Sequence, residues 1–403
     1  MRKIYFLLFT VIIVYSCKKL LPKPIESENT LAQPVDGLTQ SQLKLHLEGD
    51  RQFAKIFGES DGLGPIFIHN SCANCHVDDG KGNPNHNLTR FGKYESDGSW
   101  NPMIMQGGPQ LQHRAISNYQ PEVLPAGVKS SQFTAPNASG MGFLQAVEDQ
   151  YLLNIAAQQA AEGIVSGVPQ YVTPADFFQP SYHHKSNNGK YIGRFGRKAS
   201  AINLLQQTVG AYKNDMGITS DFDMEDPVNF SISSNATDNV PNPEVNADVV
   251  KSVAFYLETL AAPKRRNKEN EDVKKGELIF KNIGCEKCHR ETLHSGKSNI
   301  SALNEVDFHP YTDLLLHDMG SDLDDGYTEN EAKTSEWRTS PLWGLGLQFQ
   351  SQGGRIFLLH DGRATTYDAA IQLHGGEATF TSDKYKLLNE TEKEQLVKFL
   401  NSL

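Results

Sequence analysis

Apolar residues recur at helical spacing in two distant segments of the chain, Val253–Leu260 and Leu396–Leu403. The two segments match in register, which indicates an internal repeat whose two units close with the same helix. Ahead of the second segment, Thr391 and Glu394 have the spacing of a capping box, so this pattern predicts that the closing helix begins there.

Each unit also contains an earlier segment with a helical pattern, Leu45–Phe57 in the first and Val273–Lys281 in the second. The charged stretch 263–272 between the units has the composition of a solvated linker. We therefore predict a mainly α chain with an N-terminal domain at 41–262, which carries the larger insertion, and a C-terminal domain at 263–403.

Each unit contains one copy of Cys-x-x-Cys-His, the attachment signature of c-type haem. Two thiols bind the haem covalently and the adjacent histidine binds the iron, so two haem c groups are expected. A disulfide, a redox pair or half of a zinc site are the alternatives, but none of them requires a histidine after the second cysteine. The predicted attachment residues are Cys72, Cys75, His76, Cys285, Cys288 and His289.

The N-terminus has the pattern of a bacterial lipoprotein signal peptide, residues 1–17, with a basic start, a short apolar run and Cys17 as the lipidated residue. An ordinary signal peptide is the alternative. Residues 18–40 have the composition of a tether. The pattern predicts a protein anchored in the cell envelope, periplasmic or associated with the outer membrane. The net charge of −10, without a dense basic tract, makes nucleic acid an improbable partner.

Six strings in order resemble the bacterial di-haem oxidoreductase family, catalogued as peroxidases or thiol oxidoreductases and distantly similar to the dihaem cytochrome c peroxidases. The resemblance implies two cytochrome c-like haem domains and peroxidase-like chemistry, with a small redox protein or a quinol-linked donor as partner. The strings are GLGPIFIHNSCANCH (62–76), YIGRFGRKAS (191–200), DMGIT (215–219), YTDLLLHDMG (311–320), EWRTSPLWGLG (336–346) and LLHDGRATTYDAAIQLHGGEA (358–378).

The resemblance also suggests iron ligands. In the peroxidases the last string carries a distal methionine of the C-terminal haem, and here His374 occupies that position. A structural role beside the following glycines is the alternative for this histidine. For the first haem, Met216 ranks ahead of three other candidates, which are Met141, His113 and Met319.

A five-coordinate first haem would need a carboxylate to move a proton during peroxide cleavage, and Glu148 and Asp149 are the predicted catalytic acids. A surface turn is their alternative. Arg194 and Arg363 are predicted to bind haem propionates, as Arg197 and Lys198 also could. Trp343 is either an electron relay or a core aromatic. The pairs Asp78–Asp79 and Asp324–Asp325 suggest calcium, although no EF-hand loop supports it.

Three functions remain open from the sequence. The first is a peroxidase-like oxidoreductase with one relay haem and one catalytic haem. The second is a non-catalytic periplasmic electron-transfer protein, which predicts two closed six-coordinate haems. The third is a binding or maturation factor that contains haem without exchanging electrons.

Overall fold

The computed structural model describes residues 29–232 and 237–403. The predicted signal peptide, Cys17 and residues 18–28 of the predicted tether lie outside this part of the chain. In the described part, no helix is both long enough and apolar enough to cross a membrane.

The structure mixes helices with short strands, so the prediction of a mainly α chain is too narrow. In chain order the α-helices are α1 Gln40–Phe53, α2 Cys72–Cys75, α3 Met141–Gln145, α4 Asp149–Glu162, α5 Leu204–Met216, α6 Ala247–Thr259, α7 Glu271–Ile283, α8 Gln348–Ser351, α9 Tyr367–Gln372, α10 Thr379–Lys386 and α11 Glu390–Ser402. The strands are β1 Ile66–Phe67, β2 Leu88–Tyr94, β3 Trp100–Asn101, β4 Arg114–Ala115, β5 Lys129–Phe133, β6 Tyr171–Val172, β7 Tyr191–Ile192, β8 Leu293–His294, β9 Asp307–Phe308, β10 Leu316–Asp318 and β11 Glu336–Arg338.

The strands form small antiparallel sheets, and the largest has the order β3-β2-β5. Five of these strands, β1 to β5, lie between the first and third helices of the first unit, on either side of its cysteine motif. Most strands are two or three residues long, too short for an alternating pattern to distinguish them from loops. This explains why the sequence did not predict them.

Two helix pairs form the frame of the molecule. Helix α1 packs against α6, and α7 packs against α11. In the first pair, a Cβ on Gly49 would lie 2.0 Å from the carbonyl oxygen of Ser252, and in the second, a Cβ on Gly276 would lie 2.0 Å from that of Gln395. Ser252 and Gln395 are equivalent positions of the sequence repeat. The repeat is therefore confirmed as two helix crossings that both require glycine for close approach.

The boundaries of the closing helices differ in detail from the prediction. Helix α11 begins after Asn389, whose side chain accepts the backbone N–H of Glu392, while the Glu392 side chain accepts that of Asn389. The capping box predicted at Thr391 and Glu394 is thus wrong by two residues. Asparagine caps a helix at least as well as threonine, so the earlier position adds helical residues without losing the cap.

Each helix pair has its own apolar core. The first includes Phe53, Val253 and Tyr256, and the second includes Phe280, Leu396 and Phe399. A third buried cluster joins the insertion to the second unit and contains Trp343. In the predicted linker, Arg265 binds Glu277 at 2.6 Å and lies over the ring of Phe399. This part of the linker therefore packs on the second unit.

Candidate functional site

Both Cys-x-x-Cys-His motifs line one cavity of about 390 Å³. The first motif begins as helix α2 and the second as a short 3-10 helix directly after α7. The four motif cysteines are free thiols. The two helix pairs thus bring motifs that are far apart in sequence to a common internal space.

At the second motif, His289 and His374 are both buried and their orientation is set by the main chain. Nδ1 of His289 lies 3.0 Å from the carbonyl oxygen of Tyr311, and Nδ1 of His374 lies 2.7 Å from that of Ala370. A carbonyl oxygen can only accept, so each Nδ1 must donate its hydrogen and each Nε2 keeps its lone pair. Burial lowers the pKa of His289 to about 4 and also lowers that of His374, so both rings are neutral donors for a metal.

The separation of these two rings fits a shared metal ion. Their centroids are 6.5 Å apart. Two imidazoles that bind one metal ion from opposite sides, with N–metal distances of about 2 Å, place their centroids roughly 6.4 Å apart. The separation is thus compatible with both histidines holding one iron, and the role of His374 as a ligand stays a prediction.

The first motif has no such second ring. Burial lowers the pKa of His76 to about 4, with the main chain of Pro136 and Gly80 opposing the shift. The aromatic neighbour of His76 is Phe53, with centroids 5.9 Å apart. Within residues 29–232 and 237–403, no other imidazole ring contacts that of His76. The two motifs consequently differ in what lies opposite the histidine.

The structure excludes one of the candidate ligands for the first motif from the cavity but does not select among the methionines. Met216, Met141 and Met319 line the cavity, whereas His113 does not. Met216 is the last residue of α5 and packs in the apolar core of the first unit, against which Cys72 also packs. Its thioether is close to the motif, and its role as a ligand stays a prediction.

A buried carboxylate that the sequence analysis missed also lines the cavity. One oxygen of Glu329 accepts the hydroxyl of Tyr327 at 3.1 Å and lies 3.5 Å from the guanidinium of Arg90. The other oxygen, Oε2, is buried without a hydrogen-bond partner. A buried carboxylate oxygen without a donor is costly, and such groups concentrate at sites where a ligand or a proton is handled.

Arg90 connects Glu329 to the first motif. The guanidinium interacts electrostatically with both Glu329 and Asp215. Asp215 in turn lies close enough to Cys72 and Cys75 to help raise the pKa of both thiols, although burial contributes more. Burial raises the pKa of Asp215 itself to about 6, against hydrogen bonding from Gln110. The acidic groups of the cavity are thus collected beside the first motif.

Three buried cations line the cavity without a carboxylate partner. Lys81 donates to the carbonyl oxygens of Phe357 and Leu359, Arg197 donates to that of Thr134, and Arg338 donates to that of Gly196. None of the three forms an ion pair with a described carboxylate, and burial lowers the pKa of each. Buried cations of this kind require an anion, and a haem brings two carboxylates.

Of the arginines considered for this role, Arg197 lines the cavity, whereas the two predicted first, Arg194 and Arg363, lie elsewhere. Arg194 is fully buried and binds Asp149 at 2.6 Å, and Arg363 binds Asp361 and Asp325 at the surface. Neither lines the cavity. Sequence composition could not tell Arg194 from Arg197 three residues later, because the partner of each arginine comes from a distant segment.

The predicted catalytic acids do not reach the cavity either. Glu148 is the N-cap of α4, and Asp149 is the first residue of that helix. The Asp149 carboxylate accepts Arg194 on one oxygen and the N–H of Lys185 on the other. The structure thus makes Asp149 half of a buried ion pair that joins two segments of the insertion. The sequence showed two acids after a glycine-rich stretch but not this partner.

The acid pairs suggested for calcium already have protein partners. Asp325 accepts the Ser131 hydroxyl and contacts His360 and Arg363, and these groups lower its pKa although burial opposes them. Asp79 accepts the Tyr256 hydroxyl at 2.8 Å. One acid of each pair thus has protein donors, and calcium at these pairs stays a prediction.

His317, which the sequence placed beside Asp318, lies next to the second motif. Its Nδ1 is 2.9 Å from Glu377 and its Nε2 is 2.8 Å from Asp313, while the Cys288 sulfur lies 3.6 Å from Nδ1. The two carboxylates raise the pKa of His317 against the effect of burial. Both ring nitrogens of His317 are therefore engaged by carboxylates.

Trp343 lies in the third core cluster and also lines the cavity. Its side chain is 3% exposed, and its indole N–H is buried without a hydrogen-bond partner. The core position, one of the two alternatives that the sequence left open, is confirmed. The relay role stays a prediction.

Comparison with known proteins identifies the family of this chain. The model of the family described as "Di-haem oxidoreductase, putative peroxidase" matches residues 113–403, a range that begins after the first motif. No curated protein matched the chain.

Two solved structures are similar over most of their length. One is the Kuenenia stuttgartiensis hydrazine synthase pressurised with xenon, at 15% identity, with 94% of this chain and 93% of that chain covered and a TM-score of 0.38. The other is a MauG-like protein associated with microbial copper homeostasis, at 13% identity, with 95% and 94% covered and a TM-score of 0.42.

Proposed function

Because the chain belongs to the di-haem oxidoreductase family, we propose that it is a peroxidase-like enzyme with one relay haem and one catalytic haem. The observation that carries the proposal is the difference between the two motifs. His374 lies opposite His289, whereas the first motif shares its side of the cavity with the buried, unpaired carboxylate oxygen of Glu329.

The donor set supports two c-type haems. Cys72 and Cys75, and likewise Cys285 and Cys288, are unpaired thiols at the cavity wall, beside the buried histidines His76 and His289. Lys81, Arg197 and Arg338 offer their buried N–H groups to haem propionates, which would supply the missing negative charge. These observations together support covalent attachment at both motifs.

The second haem, between His289 and His374, is proposed as the relay. His289 and His374 would both hold the iron through neutral imidazoles, which would leave little access for a substrate. Because both Nδ1 atoms are held by carbonyl oxygens, neither ring can turn away without losing a buried hydrogen bond. A fixed coordination sphere suits electron transfer.

The first haem is proposed as the catalytic one. A bound haem supplies a redox-active iron that can exchange electrons with a peroxide. Reduction of hydrogen peroxide consumes two electrons and two protons and yields two water molecules. Glu329 is proposed to carry a proton between the two peroxide oxygens through its free Oε2, while Arg90 stabilises the carboxylate. Electrons would come from a small redox protein or a quinol-linked donor in the cell envelope, where a lipid on Cys17 would hold the protein.

The test compares two glutamates that are two positions apart. Glu329→Gln removes the proton carrier, and Glu331→Gln changes an exposed residue whose side chain is 58% accessible. Optical and EPR spectra of oxidised and half-reduced protein would be followed by peroxide addition. We expect one high-spin haem that reacts with peroxide, and a reaction slowed about 10²–10⁴-fold in Glu329→Gln alone.

The alternative, a non-catalytic electron-transfer protein, predicts a different result. Two low-spin haems that ignore peroxide in every redox state would favour it and overturn the enzyme. A peroxide reaction that is equally fast in both glutamine variants, with full haem content, would keep the enzyme but remove Glu329 as its acid.

A further inference from the structure

Three carboxylates converge in the connection between α5 and α6, outside the cavity. They belong to Asp226, Asp238 and Glu244, and one oxygen of each lies within 4.8 Å of the others. None of the residues involved belongs to the site described above. This feature is independent of the proposed function.

The orientation of these carboxylates is fixed by the protein. One oxygen of Asp238 accepts the N–H of Val240 at 2.8 Å, and one oxygen of Glu244 accepts both the N–H and the hydroxyl of Thr219. The Glu244 side chain also lies directly against Gly62, where a Cβ would overlap it. Asp238 and Glu244 are thus each held through one oxygen, and Asp226 receives a hydrogen bond from the side chain of Asn242.

The second oxygens have no donor. Asp226 Oδ1, Asp238 Oδ2 and Glu244 Oε1 are buried without a hydrogen-bond partner. Asp238 as a whole is 6% exposed. A buried carboxylate oxygen without a donor carries a large desolvation cost, and in a cluster of three carboxylates a bound cation would offset it.

The described protein does not supply that cation. None of the three carboxylates forms an ion pair within residues 29–232 and 237–403. The nearby Lys213 forms its ion pair with Asp223, at 2.9 Å, and acts on Asp226 electrostatically from farther away. When ionised, three carboxylates at this separation repel one another, which favours the binding of a cation from solution.

We propose that Asp226, Asp238 and Glu244 bind a calcium ion. The donors are all oxygens, which hard cations prefer, and no histidine or cysteine is present to favour zinc. Calcium–oxygen distances of about 2.3–2.6 Å allow opposed ligands up to roughly 5 Å apart, which accommodates the observed spread. Magnesium requires tighter octahedral geometry at about 2.0–2.1 Å and tends to keep its water.

The position of the site suggests what the ion does. Ser220 pairs with Val245 beside Glu244, and Val245 and Ile218 belong to the apolar core against which Cys72 packs. An ion at this place would clip the connection between α5 and α6 onto the first unit. Calcium is therefore expected to stabilise the half of the molecule that contains His76.

The test uses the full-length haem-loaded protein, stripped of metal with EGTA and dialysed. Calcium chloride would be titrated by calorimetry into the wild type, into Asp238→Asn and into Asp383→Asn, an exposed acid on α10. We expect Asp238→Asn to bind one calcium ion fewer per chain than the other two proteins. We also expect calcium to raise the melting temperature of the wild type by roughly 5 °C, and that of Asp238→Asn by clearly less.

If Asp238→Asn fails to fold, the haem spectrum would reveal it. The single variants Asp226→Asn and Glu244→Gln then serve as alternatives in the same titration. Equal calcium stoichiometry in the wild type and in every folded variant of the three acids would overturn the proposal. Tighter binding of magnesium than of calcium at this site would overturn the choice of ion.

Discussion

The two motif regions have the same frame but different surroundings. In both, a helix ahead of the motif crosses a closing helix at a glycine, Gly49 in one and Gly276 in the other. Opposite His289 lies His374, while the side of the cavity near the first motif holds Glu329 and Arg90. The comparison teaches that one framework can surround its motif with different side chains, depending on what later segments place in the cavity.

The two regions differ because the residues near each motif come from different parts of the chain. In the second unit, the short helix α9 ends just before His374 and orients it through the carbonyl of Ala370. In the first unit, Arg90 comes from strand β2, and Glu329 comes from the C-terminal half of the chain. A local helix thus completes one site, and distant segments complete the other.

The largest effect is expected when the second motif loses its second histidine and so resembles the first motif. His374→Ala removes the imidazole opposite His289, so the low-spin EPR signal of the second haem should disappear almost completely and a high-spin signal should replace it. Added imidazole should restore the low-spin signal. His309→Ala, an exposed histidine, should leave both spectra unchanged. A normal low-spin signal in His374→Ala would mean that another residue is the ligand.

A smaller effect, on stability, should distinguish the two buried carboxylate–guanidinium pairs. Asp149 and Arg194 are both fully buried and 2.6 Å apart, whereas Glu329 and Arg90 are 3.5 Å apart with one oxygen unpaired. Asp149→Asn leaves Arg194 without its partner, which should lower the free energy of unfolding by about 3–5 kcal/mol in denaturant titrations. Its peroxide reaction should stay near that of the wild type at low temperature. A slow reaction at unchanged stability would instead make Asp149 a functional acid.

The smallest effect concerns pH near the first motif. Burial raises the pKa of Asp215 from 3.8 to about 6, so the folded state binds the proton more tightly between these values. The free energy of unfolding should therefore fall as pH rises from about 4 to 6 and level off above this range, by up to about 3 kcal/mol. Asp215→Asn should lose this slope, and the exposed Asp322→Asn should keep it. Identical slopes in all three proteins would contradict the shifted pKa.

Much of the framework could be predicted from the sequence. The helices around Val253 and Leu396 and the repeat that relates them depend on local spacing, and the structure contains both helices. The prediction for His374 depends on one motif, and its role as a ligand stays a prediction. The strands were missed because they are too short to show alternation. The capping box was placed two residues late because several polar residues at that helix start can serve as cap.

The chemistry of the cavity was less predictable. Glu329 lies in a string of polar residues, Thr328–Glu331, that reads as an ordinary surface loop. Only burial beside Arg90 and Tyr327 makes it a candidate acid. The converse holds for Asp149, whose carboxylate is taken up by Arg194. The role of a carboxylate depends on its partners, and these come from segments far away in sequence.

The sequence by itself determined the two motifs, the repeated helices and the family, because covalent attachment and helical packing depend on residues within a few turns of one another. The tertiary structure decided which acids and cations lie at the cavity, because burial and ion pairing depend on residues such as Arg90 and Glu329 that folding alone brings together. It likewise decided the convergence of Asp226, Asp238 and Glu244, since their spacing along the chain matches no calcium-binding motif.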